Sequence, residues 1–142
     1  MTTARRHFLA LSGAIYAAIL FAGGALADPR DEPDARHKFV VDLQRAVAAS
    51  DAKWIAAHIK YPARHGAGKV NGLIRSPGFF VKNYATLVGP KLRAAILAQD
   101  PANVFENWQG VMIGGGNPNI WARLSGEGDN ARYLIVTINN AK

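Results

Sequence analysis

The chain is 142 residues long, 49% hydrophobic and 19% charged, with a formal net charge of +7 and no cysteine. That composition belongs to one globular domain rather than to a disordered or collagen-like polymer. Without cysteine, a disulfide framework, thiolate zinc or iron–sulfur ligation and a cysteine nucleophile are all excluded.

The chain opens with the pattern of an export signal. Arg5 and Arg6 precede an apolar run from Phe8 to Leu26, and Ala25-Leu26-Ala27 closes the run in the A-x-A form that a signal peptidase cuts. Gly13, Gly23 and Gly24 interrupt the run, so a cleaved signal fits better than a membrane anchor, and no cysteine follows for a lipid. Arg5-Arg6-His7-Phe8-Leu9 is similar to the twin-arginine export signal. Ala4 stands where that signal carries Ser or Thr, so ordinary secretion stays open. The expected organisation is a signal peptide over 1–27, a flexible leader over 28–34 containing Pro29 and Pro33, and one domain over 35–142 in the periplasm or outside the cell.

Charge is unevenly placed in what remains. From Asp28 to Asp51 there are six acids and four bases; from Ala52 to Gln99 there are eight bases and no acid. A region of one sign attracts anionic partners through its summed potential. Lys60, Arg64, Lys69 and Arg75 are the candidates for such a face, with solvated helix and hairpin surfaces as the plainer alternative.

Periodicity then gives the elements in order. Phe39, Val40, Leu43 and Val47 form one apolar helical stripe, and Ser50 or Asp51 can cap a short second helix carrying Trp54 and Ile55. His58 to Tyr61 alternates as an edge strand that stops at Pro62, and a glycine-bearing loop returns through Val70 to Ile74. Ser76-Pro77 starts a helix that buries Phe80, Tyr84, Leu87 and Val88; Gly89-Pro90 ends it and opens another with Leu92 and Ile96 inward. Val104 to Ile113, Ile120 to Leu124 and Tyr133 to Ile138 alternate as three antiparallel strands, joined at Gly114-Gly115-Gly116 and Gly126-Glu127-Gly128. Helices first and a consecutive sheet afterwards predict an α+β domain, with N-terminal helices packed on a curved antiparallel sheet.

Ile59-Lys60-Tyr61-Pro62, the hairpin, Ser76 to Tyr84, Phe105-Glu106-Asn107, Gly110 to Gly114, Ile120-Trp121 and Tyr133 to Asn139 together resemble small exported proteins of the nuclear transport factor 2-like, cystatin-like superfamily. The resemblance covers roughly residues 35 to 140. It implies a sheet wrapped round a helix into a cone with an apolar cavity, a fold used by isomerase-like and cyclase-like enzymes and by binding modules. It carries over no catalytic residue.

The chemical candidates are few. His58 and His65 lack a metal-ligand spacing, and Gly66-Ala67-Gly68-Lys69 fails as a phosphate loop because Ala63 and Val70 occupy its required glycine and Ser/Thr positions. Neither a metal nor another cofactor is expected. No Gly-x-Ser-x-Gly elbow places a serine nucleophile, and Ser76 is explained as a cap. Glu106 shares a strand face with Trp108 and Met112 if alternation is unbroken, so burial there would raise its pKa and suit it as a general base; His58 is the other candidate. Tyr61, Tyr84, Trp108 and Trp121 are amphipathic aromatics that either line a small-molecule pocket or fill the core. The expected function is a non-enzymatic binding or interaction domain, with a small apolar or anionic ligand or an acidic protein as partner; homodimerisation stays open and nucleic acid is disfavoured. The alternative is a cofactor-free isomerase, cyclase or hydrolase.

The exported protein is predicted to begin at Asp28, which intact-mass measurement checks. Replacing Arg5-Arg6 by Lys-Lys is predicted to block export on the twin-arginine route; unchanged export of that variant assigns the general secretory route.

Overall fold

The computed structural model describes residues 34–67 and 70–140, so the expected signal peptide, the leader up to Pro33 and Lys69 lie outside the described residues. Helix α1 (Ala35–Ala48) starts at Asp34, whose carboxylate accepts from the His37 amide at 2.7 Å. Its stripe of Phe39, Val40, Leu43 and Val47 is buried as the periodicity predicts. Asp51 rather than Ser50 caps α2 (Ala52–Ala57), accepting from the Trp54 amide at 3.0 Å.

Strand β1 (Ile59–Ala67) runs through Pro62 instead of ending there. The reason is a register irregularity: β1 pairs with the chain's final strand (Arg132–Asn140) at Ile59 and again only from Arg64, and its pairing with β2 (Val70–Ile74) begins at Ala63, so Pro62 falls where no ladder bond is needed. Ser76 and Pro77 start α3 (Pro77–Lys82), with the Ser76 hydroxyl accepting from the Phe79 amide at 3.2 Å. The single helix expected up to Val88 is broken at Asn83, whose side chain donates to the Phe79 carbonyl at 2.8 Å, and continues as α4 (Tyr84–Leu87). Helix α5 (Pro90–Ala98) buries Leu92 and Ile96. Gln44 ties α1 to its end, donating to the carbonyls of Ile96 and Gln99 at 3.0 and 2.7 Å. The Arg93 guanidinium donates to the carbonyls of Val47 and Ala48, a cation placed at the negative end of α1.

The strand expected over Val104 to Ile113 is two strands, β3 (Phe105–Asn107) and β4 (Gly110–Ile113), turned at Trp108-Gln109. Asn107 forms the turn by accepting from the Gln109 amide at 2.8 Å. Gly110 completes it at φ 124°, where a Cβ would lie 2.2 Å from the Ala122 carbonyl oxygen. Strands β5 (Asn119–Ser125) and β6 (Arg132–Asn140) follow.

The sheet order is β2-β1-β6-β5-β4-β3. It is mixed rather than antiparallel throughout, because β1 and β6 run parallel while all other neighbours are antiparallel. The extra residue Val136 in β6 lets Ile135 and Ile138, three apart, both reach the core. Helices α1, α3, α4 and α5 contact the sheet, and the space between is filled by buried side chains including Leu43, Ile55, Ile74, Phe80, Ile120 and Ile135. Each such side chain contributes roughly 1.5–3 kcal/mol by leaving water. Among the described residues, no helix covers the other face of the sheet.

Candidate functional site

Alternation along each strand decides which side chains meet on the uncovered face. On β1, Ile59 and Ala63 are buried against the helices, so Lys60, Pro62 and Arg64 project the other way, and all three are exposed. On β5, Ile120 and Ala122 are buried and Trp121 and Arg123 project outward. The ladder registers then align one transverse row across all six strands: Leu73, Arg64, Thr137, Trp121, Met112 and Phe105.

An open groove of about 1030 Å³ runs over the part of this row from Leu73 to Trp121. Arg64, Trp121, Thr137, Trp108 and Arg123 are among its lining residues, and none of its lining residues is a carboxylate. Phe105 meets Trp121 edge-on, with ring centroids 6.3 Å apart, which fixes the indole's orientation. Trp108, in the β3–β4 turn, is 85% exposed at the end of the groove. The Arg123 Nε donates to the Gln109 carbonyl at 2.6 Å, so this cation is held beside that turn. Arg64 has no hydrogen-bond or ion-pair partner among the described residues.

The expected site residues divide between the two faces. Trp108 and Trp121 come together on the open face with Arg64. Tyr61 and Tyr84 pack on the helix side instead: the Tyr61 hydroxyl donates to the Ala56 carbonyl at 2.7 Å, and Tyr84 lies edge-on to Phe80 at 5.8 Å. No single cavity therefore gathers the four aromatics. Lys60 and Arg75 are exposed; Arg75 follows the buried Ile74 and so continues the outward face beside Pro62. Arg123 and Thr137 carry no signal of their own in the sequence, although Arg123 sits two residues from Trp121 and so shares its face.

Glu106 and Trp108 do not share a strand face, because the Asn107–Gly110 turn ends the alternation between them. Glu106 lies opposite the buried Val111, at the rim of the helix side, where its carboxylate accepts from Arg36 at 2.8 Å with 47% of its side chain exposed. A carboxylate so placed is solvated and neutralised, without the desolvation on which the general-base role was argued. The His58 ring stacks on Trp54 with centroids 3.7 Å apart, and its Nδ1 lies 2.8 Å from the Trp54 carbonyl. That ring turns back to its own helix. His65 leans toward Phe79, its Nδ1 buried without a partner; a Cβ on the paired Gly72 would come within 2.8 Å of its Nε2. Among the described residues, no three histidine or acidic side chains converge to hold a metal ion.

Comparison with known proteins yields no relative: no family model, no curated protein and no solved structure matches the chain.

From Asp28 onward the chain has three tyrosines, and burial pushes each hydroxyl above the ordinary value of 10.0. The Arg93 charge opposes the shift at Tyr84, and the Glu106 charge adds to it at Tyr133. The folded state thus keeps protons that the unfolded chain releases, so this stabilisation is complete below the unfolded pKa and is lost as pH rises above it. Ultraviolet titration is predicted to show all three tyrosines ionising at higher pH in the folded than in the urea-unfolded protein; one that ionises alike in both is not buried. The buried Tyr84 hydroxyl makes no hydrogen bond of ordinary geometry but has Arg93 and Ser50 beside it, so Tyr84→Phe is predicted to change the melting temperature little, which thermal unfolding checks.

Proposed function

We propose that this chain is an exported binding domain whose working surface is the open face of its sheet. The observation that carries the reading is the single row in which Arg64, an arginine without a partner among the described residues, and Trp121, an aromatic packed edge-on against Phe105, lie over one groove without a carboxylate. Trp108 and Trp121 of the expected aromatic set and Arg64 of the expected basic face line this one groove, while Tyr61 and Tyr84 pack on the helix side. An open trough suits a ligand laid flat along it rather than one engulfed. Aromatic walls supply apolar contact area at low entropic cost, and arginine supplies charge and directed hydrogen bonds.

The proposed membership of the nuclear transport factor 2-like superfamily draws support from helices gathered on one face of a six-stranded sheet whose last strands are consecutive. The cone interior implied by that resemblance corresponds here to the packed side, so binding is assigned to the opposite face. Export of the domain rests on Arg5-Arg6 and the apolar run to Ala27.

Equilibrium dialysis of the domain against a small-molecule extract of its native cells, read by mass spectrometry, tests the reading. Wild type is expected to retain a compound that Trp121→Leu retains at least tenfold less, while Glu106→Gln keeps it within a few-fold. Loss of retention in Glu106→Gln, with Trp121→Leu folded and unaffected, would move the site to the Arg36 side of the molecule.

A further inference from the structure

We infer that the groove takes an anion joined to a flat apolar body, a ring-bearing carboxylate or phosphate ester, with the anion on Arg64 and the rings against Trp121. This inference rests on the binding reading above and adds the chemical class of the ligand. Three observations fix it. First, the row places Arg64 on β1 and Trp121 on β5 with only Thr137 of β6 between them. Two strand steps separate them by about 10 Å, so one small molecule can touch both. The Thr137 hydroxyl lies between, able to donate to or accept from a polar group on the connecting atoms.

Second, charge selects the sign. The lining includes Arg64 and Arg123 and no acid, and from Ala52 to Gln99 the chain holds no acid that could neutralise Arg64 from its own hairpin. An arginine fork offers paired donors that match a carboxylate or phosphate. Arg123 adds a second positive charge at the aromatic end, where its Nε donates to the Gln109 carbonyl, while Arg64 makes no hydrogen bond among the described residues and is assigned as the anion's main donor.

Third, the apolar end is built rather than incidental. Phe105 holds the Trp121 ring edge-on above Met112, which pairs with both of them across β4. The exposed Trp108 stands at the end of the same groove, where it can close over a ligand's ring. The same charges argue against a second copy of the chain as occupant, since a face-to-face pair would bring two cationic grooves together.

Amide chemical-shift titration of the folded domain with 2-naphthoate, its neutral counterpart 2-naphthylmethanol and acetate at low salt tests this. For 2-naphthoate, shifts are expected at Arg64, Trp121 and Thr137, with binding at least tenfold tighter than for 2-naphthylmethanol and with acetate alone weak. Arg64→Gln is expected to erase the tenfold preference while leaving 2-naphthylmethanol binding unchanged, and Trp108→Ser, at an exposed turn, to weaken both naphthyl probes. Equal binding of the charged and neutral probes to the groove would overturn the anion assignment and leave the binding surface standing. No shift in the row with any probe would overturn both. Concentration-dependent shifts of the same amides without a probe would assign the face to a second copy and overturn the ligand class.

Discussion

The parallel pairing of β1 with β6 is the constraint on which the molecule depends. Every other ladder joins strands that follow one another in the chain: β1 with β2, then β3, β4, β5 and β6 in series. Such local pairings close short loops at small entropic cost, whereas β1 meets β6 only after the intervening helices and strands have been spanned. An isolated hairpin of β1 and β2 would be marginal in water. Joined to β6, it becomes one side of a six-stranded sheet, and its inward residues Ile59 and Ala63 complete the core under the helices. The helices have matching anchors, for Gln44 and Arg93 bind α1 to α5 through main-chain carbonyls at helix ends.

That one pairing also makes the candidate site. Arg64 belongs to the early hairpin and Trp121 to the late strands, and the Arg64–Thr137 register brings Arg64 into the row that Thr137 already shares with Trp121. A slip of one residue would turn Arg64 toward the core and Ala63 toward solvent, since strand side chains alternate. The side of the sheet left open for the proposed ligand is decided by filling. Large aliphatic side chains occupy the helix side, and the opposite side keeps two arginines, a threonine and a fixed indole over an open groove.

Much of the local structure was legible in the sequence, because local signals have local causes. The α1 stripe, the Asp51 cap, the Ser76-Pro77 start and the Gly89-Pro90 junction all act within a few residues, and each lies where periodicity and capping put it. The β3–β4 turn was signalled by Asn107 and Gly110 but hidden by the alternation of Val104, Glu106 and Trp108, which placed Glu106 and Trp108 on one face. The Asn83 break in the helix was masked in the same way, since Phe80, Tyr84 and Leu87 keep a helical spacing across it. The parallel pairing left no local mark, and so neither the mixed sheet nor the division of the four aromatics between two faces could be read in advance. Arg64 and Trp121 were legible as residue types suited to binding; their adjacency was not, because it is a property of the β1–β6 and β5–β6 registers.

The most direct measurement of this account is the map of interstrand proton contacts in the folded domain in solution. Backbone cross-peaks in the parallel pattern should link Arg64 with Thr137 and Gly66 with Asn139, while Thr137 is also linked to Trp121 in the antiparallel pattern. If β1 instead shows cross-peaks only to β2, or meets β6 one residue out of this register, Arg64 and Trp121 no longer share a row, and the account of both sheet and site is contradicted.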